Sequence, residues 1–205
     1  MSRIRKREAP IFVVNLAYIL AFGATSIGRR NYEFLIYTAV IVLAFVLIAA
    51  TQRQVKFTPL VLWGLTIWGL LHMAGGNVFL AGGRLYDLIL ISIAPKYQIL
   101  RYDHFVHAVG FGTATLVAYH LLRPHLHEGI HNWLSLSALV ALMGMGLGAL
   151  NEMMEFFVVV VVPESGVGGY TNTALDLVFN ALGALLAIGC INVQRLRQSR
   201  PLPLV

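Results

Sequence analysis

The chain has 205 residues, of which 58% are hydrophobic and only 12% charged, with a formal net charge of +6. A soluble domain carries about 25% charged residues, so these charges are too few to cover a soluble surface. That excludes a nucleic-acid-binding domain, a disordered chain and an ordinary cytosolic enzyme, and leaves a single integral-membrane domain over residues 1–205.

Residues 1–10 are basic, with Arg3, Arg5, Lys6 and Arg7. The apolar stretch that follows, Ile11–Ile27, is longer than a signal-peptide core and reads as an uncleaved first span. Five further apolar segments follow: Glu33–Thr51, Phe57–Gly75, Asp103–Leu122, Trp133–Glu155 and Asn172–Ile191. Each meets or approaches the roughly 20 residues needed to cross a bilayer core. Helices are expected because an open strand edge cannot sit in hydrocarbon. The expected fold is all-α, a polytopic membrane bundle of about six transmembrane helices. Between the third and fourth spans, residues 85–94 are apolar but too short to cross, and are expected to be interfacial or re-entrant. Apolar residues continue past Glu155 to Val162, so the fifth helix either stops at Glu155 or runs to about 45 Å. Residues 192–205 form a basic tail.

Lys and Arg set the orientation. With the N-terminus inside, ten basic residues fall on the inner side and five (Arg29, Arg30, Arg84, Lys96, Arg101) on the outer. The expectation is N-in and C-in, with both termini cytoplasmic, in a bacterial plasma (inner) membrane. Small residues at four-residue spacing mark close helix contacts: Gly110 and Ala114, Gly144 and Gly148, Gly183 and Ala187. Spans four to six are therefore the expected tight core. The lone Cys190 allows no intrachain disulfide.

Ionisable residues inside spans are expensive and point to function. Asp103, His104 and His107 open the fourth span; Asn151, Glu152 and Glu155 come late in the fifth; Asn172, Asp176 and Asn180 open the sixth. Helical spacing puts each group on one face, and the up-down topology puts all three at the outer end. His72 closes the third span there too. Clustered carboxylates cannot all stay ionised; they share protons, pair with cations or bind metal. A mixed His and carboxylate set suits Zn, Mn or Fe. The expected ligands are Asp103, His107, Glu155 and Asp176. Glu152 and Glu155 are the candidate catalytic groups, with Glu152 as base or further ligand. Arg84, Arg101, His72 and Asn180 are the candidate substrate-binding groups. The bland alternative is a protonated or Arg-paired cluster that fixes helix register.

His127-Glu128-Gly129-Ile130-His131 matches the zinc-protease spacing, but follows Pro124 in a His-rich connection with no third ligand in view. It reads as an interfacial loop. The run Gly144 to Gly148 follows no strand and is not a dinucleotide fingerprint. Trp63, Trp68 and Trp133 read as belt or packing residues.

Several stretches resemble the YjdF-like family of uncharacterised bacterial inner-membrane proteins. They are His72-Met73-Ala74-Gly75-Gly76, Leu85-Tyr86-Asp87, Arg101-Tyr102-Asp103-His104-Phe105-Val106-His107 and Asn151-Glu152-Met153-Met154-Glu155-Phe156, with Asp176 further on. The resemblance implies a six-span-like membrane protein. It makes Asp103, His107, Glu152, Glu155 and Asp176 family-motif positions, and supplies no reaction. Residues 176–183 also resemble the last helix of VanZ-like proteins, whose usual Glu-x-x-Gln is here Glu152 and Glu155.

The leading expectation is a multi-pass protein with an outward-facing carboxylate and His pocket that binds a divalent metal. Its ligand would be a lipid head group or a related phosphate, and the bilayer its surroundings. If it is an enzyme, the class is metal-assisted hydrolase or transferase on a membrane substrate. The rivals are a proton-coupled transporter or channel using the same acids as relays, and a structural or assembly subunit. The transporter predicts polar groups on both halves of a path, whereas the inner halves of the spans read as apolar except at His120.

Overall fold

The computed structural model describes residues 8–80, 82–126, 132–162 and 165–198. Six helices dominate: α1 (Ala9–Gly28), α2 (Tyr32–Val55), α3 (Pro59–Asn77), α4 (Tyr102–Leu122), α5 (Trp133–Val161) and α6 (Tyr170–Gln198). All six are long and apolar enough to cross a membrane. Their starts follow local chemistry. Asn31 accepts from the Phe34 amide (3.1 Å) to begin α2, and Asn132 accepts from the Ser135 amide (3.0 Å) to begin α5. Pro59 takes the first turn of α3, where its missing N–H costs nothing. Lys56, at φ 54°, turns the chain out of α2 in the left-handed region.

The fifth helix takes the longer of the two expected lengths. Its 29 residues span about 44 Å, and Glu152 lies nine residues before its end. The cause is local: Phe156 to Val161 is an unbroken apolar run, with no glycine or proline to stop the helix.

Helix α4 is central, packing on α3, α5 and α6. Its approach to α6 is the closest in the bundle. A Cβ on Gly183 would run into the carbonyl oxygen of Ala108, and one on Gly112 would sit 3.0 Å from the carbonyl oxygen of Gly183. Gly144 faces Thr115 and Ala184, and Gly148 faces Asn180. The expected tight trio of α4, α5 and α6 is thus present, with one correction. On α4 the glycine against α6 is Gly112; Gly110 turns the other way and receives the Trp68 indole of α3. Spacing marks a small face without saying which neighbour it meets.

The connection from α3 to α4 is not helical. Phe79–Leu80 and Gly83–Arg84 pair as a short antiparallel hairpin, β1 and β2, turning through Gly82 at φ +85°. This hairpin is an addition to the expected all-α fold. Leu85–Asp87 makes one 3-10 turn, and Ile89 then bridges Arg101 in antiparallel fashion. Leu88 to Ile91 and Ile93 expose their side chains, as an interfacial segment would. A second correction concerns the other half of the bundle. Besides His120, whose Nε2 bonds the Val55 carbonyl (3.0 Å), it buries Asn15, Tyr18 and Thr66. Of the basic tail expected over 192–205, residues 192–198 instead continue α6 and the rest lies outside the described residues, as do the connection His127–His131 and the basic residues Arg3 to Arg7.

Candidate metal centre

Helices α4 and α6 begin, and α5 approaches its end, on the same side of the bundle. Asp103 and His107 stand one turn apart on α4, Glu152 and Glu155 nearly one turn apart on α5, and Asp176 and Asn180 one turn apart on α6. The close α4–α6 packing lets the three faces meet.

His107 is the hub. Its Nδ1 lies 3.0 Å from Asn180 Oδ1 and 3.5 Å from Glu152 Oε1. Its Nε2 lies 3.6 Å from Asp103 Oδ1, 3.7 Å from Glu155 Oε1 and 3.9 Å from Asp176 Oδ1. One ligand atom from each of His107, Glu152, Glu155 and Asp176 falls within 4.8 Å of the others. Asp176 is fully buried, and Glu152 is only 9% exposed. Both oxygens of Glu152 and Oδ1 of Asp176 have no hydrogen-bond partner among the described residues. A buried carboxylate oxygen left unpaired is costly. A cation among these oxygens would supply the missing interaction.

Neighbouring side chains hold these groups in place. Asn172 Nδ2 donates to Asp176 Oδ2 (2.6 Å) and to Asp103 Oδ2 (3.2 Å). Asn151 Nδ2 donates to Glu155 Oε1 (2.8 Å). His104, fully buried and stacked on Phe179 at 4.8 Å, caps α4: its Nδ1 accepts from the amides of Leu100 and Arg101, both at 3.1 Å. Accepting at Nδ1 places the ring proton on Nε2, which faces Asp176 Oδ1 at 3.9 Å. His104, Asn151 and Asn172 sit in the polar groups visible in the sequence, but nothing there separates a shell residue from a ligand. Outer partners of this kind orient metal ligands and are half of such a site.

The structure brings together Asp103, His107, Glu152, Glu155, Asp176 and Asn180. It sets two of the remaining candidates, His72 and Arg101, around a chamber of about 80 Å³ beside them, lined also by Tyr37, Tyr86, Asp103 and Glu155. Arg101 lies 3.7 Å from Asp103 and 3.9 Å from Asp87. Arg84 does not reach the cluster. It pairs with Glu33 at 3.2 Å, and Glu33 also accepts from the Gly166 amide at 2.7 Å, tying the α5–α6 connection to α2. His72 meets Tyr86 instead of a carboxylate: the phenol donates to the His72 carbonyl (3.0 Å), and its oxygen lies 2.6 Å from Nδ1. Burial pushes the Tyr86 phenol well above its usual range, and the charges of Asp103 and Glu155 add to this. The hydroxyl therefore stays a donor at any working pH.

A family model described as Predicted membrane protein (DUF2238) matches residues 10–197. No curated protein and no solved structure matches the chain.

Proposed function

The chain belongs to the DUF2238 family of predicted membrane proteins, and we propose that it is a multi-pass protein of the bacterial inner membrane that holds a divalent metal ion. The ion sits on His107, Glu152, Glu155 and Asp176, with Asp103 alongside, and the site acts on a phosphate-bearing lipid head group. One observation carries this reading. Three helices deliver four ligand atoms to within 4.8 Å, and both oxygens of Glu152 and Oδ1 of Asp176 are buried with no hydrogen-bond donor among the described residues. A cluster that only fixed register would pair those oxygens with donors, as Asn172 and Asn151 do for their neighbours. The donor set of one imidazole and several carboxylates fits Zn, Mn or Fe. The same five acidic and His positions carry the resemblance to the YjdF-like family, which supports treating them as one set.

A bound divalent ion supplies Lewis-acid polarisation of a phosphoryl oxygen. The chain's own groups do the rest. Arg101, between Asp87 and Asp103, positions a phosphate at the chamber. Tyr86 and His72, bonded to each other, form part of its wall. Glu152 and Glu155, side by side on α5, hold or release a proton next to His107. The excess of Lys and Arg at the opposite end supports an outward-facing chamber with both termini cytoplasmic. The relay reading is less well supported. Asn15, the buried amide in the other half, is fully occupied by Ile11, Thr66 and Tyr18, which leaves it no proton to pass on.

Elemental analysis tests the reading. Protein purified without chelator, or reconstituted with Zn, Mn or Fe, is expected to hold near-stoichiometric metal. Glu155→Gln and Asp176→Asn are expected to lose it while remaining monodisperse. A wild-type protein that takes up none of the three metals overturns the assignment.

A further inference from the structure

A second cavity, of about 510 Å³, opens between α1, α2 and α3 in the half of the bundle away from the metal centre. That volume is within the range of roughly 300–1,000 Å³ typical of ligand sites. Its walls are hydrocarbon, with Ile11, Phe45, Ile48 and Leu65 prominent. The polar groups on its wall are already satisfied. Asn15 Nδ2 donates to the Ile11 carbonyl (2.8 Å) and to Thr66 Oγ1 (2.7 Å), while its Oδ1 accepts from the Tyr18 hydroxyl (2.8 Å). Thr66 Oγ1 in turn donates to the Leu62 carbonyl (2.8 Å). Water bound there would find few partners, and an apolar chain would leave nothing unpaired.

The two ends differ. Toward the metal centre the crevice stops at Trp68, whose ring lies 5.7 Å from that of His72, so an aromatic partition divides the two cavities. At the other end the lining turns polar. Gln52 donates to Glu8 (2.9 Å) and bonds the backbone of Phe57 in both directions, which makes a floor, and the exposed Arg53 stands at its edge. Lys56 follows, also exposed. The gradient runs from hydrocarbon to a polar end where the Glu8 carboxylate is held by Gln52 and the Arg53 guanidinium, followed by Lys56 outside the lining, faces outward, along one crevice set within three spanning helices. It matches a lipid with an anionic head.

From this gradient we infer that the crevice is a binding site for one anionic phospholipid, with an acyl chain along α1–α3 up to Trp68 and the phosphate at Arg53. The site is separate from the metal centre and does not depend on it.

Trp68 reports occupancy. In a Trp63→Phe/Trp133→Phe background it is the sole tryptophan. The protein is reconstituted in phosphatidylcholine vesicles and titrated with phosphatidylglycerol or phosphatidylethanolamine carrying brominated acyl chains. Saturable quenching is expected, with phosphatidylglycerol preferred by about fivefold, the effect of one basic side chain near the surface. Arg53→Ala is expected to abolish that preference. Ala44→Phe fills the crevice and is expected to remove the saturable component; Ala49→Leu is a second plug in case the first fails to fold. Quenching that is linear in bromolipid and unchanged by either plug is contact with bulk lipid and overturns the site. Saturable quenching without head-group preference overturns the assignment of an anionic head group at Arg53.

Discussion

Substituting Gly183 tests whether helix packing builds the proposed metal centre. A Cβ at Gly183 lands 2.8 Å from the Gly112 nitrogen and 2.9 Å from the Ala108 carbonyl carbon, and closer still to the Ala108 oxygen. Ordinary contact begins near 3.4 Å, and every atom it meets is backbone, so no rotamer change relieves it. Helices α4 and α6 must therefore separate by at least about 0.6 Å in Gly183→Ala. The cost of such overpacking is about 1–3 kcal/mol. The same separation reaches the site, because His107 adjoins Ala108 on α4 and Asp176 lies two turns before Gly183 on α6. Metal–ligand distances tolerate only about 0.2 Å, so the displacement exceeds what coordination can absorb. The assay is thermal unfolding in detergent, with and without metal, beside elemental analysis of the same preparation. Gly183→Ala is expected to melt lower and to hold metal weakly. Wild-type melting with full metal content would refute the packing argument; a lowered melting temperature with full metal content would refute the link from packing to the site.

Asp176→Asn is expected to keep or gain stability without metal, because it removes one of several buried acids, and to lose metal stabilisation. Metal at 100 times its Kd stabilises the wild type by about 2.7 kcal/mol, and a variant that responds equally to metal would contradict the ligand assignment. His104→Phe deletes the acceptor for two amides and the group facing Asp176; it should cost about 1 kcal/mol and weaken metal binding roughly 10- to 100-fold, measured by competition with a fluorescent chelator. Metal affinity should fall as pH drops, since protons compete for His107 and the carboxylates; an affinity flat from neutral to acidic pH speaks against this ligand set. Arg84→Ala leaves Glu33 without its cation and should destabilise the protein by about 1–2 kcal/mol, with metal content unchanged because Arg84 does not reach the centre.

The bilayer made much of this fold legible. Lipid tolerates only backbones that satisfy themselves, so six apolar runs became six helices, most ends displaced by a few residues and those of α5 and α6 running on to Val161 and Gln198. The same penalty on buried charge singled out Asp103, His107, Glu152, Glu155 and Asp176, and alternating span direction set them at one end. Tertiary structure was needed wherever direction around a helix axis mattered. It turned Gly110 toward Trp68 and Gly112 toward Gly183. It gave Arg84 to Glu33 while leaving Arg101 near Asp103, made His104 a cap beside its near neighbour His107, and opened the crevice between α1, α2 and α3. Linear spacing gives the face a residue shares with others on its own helix. Which partner that face meets depends on the rotation and approach of separate helices, and these follow from side-chain packing summed over the whole bundle.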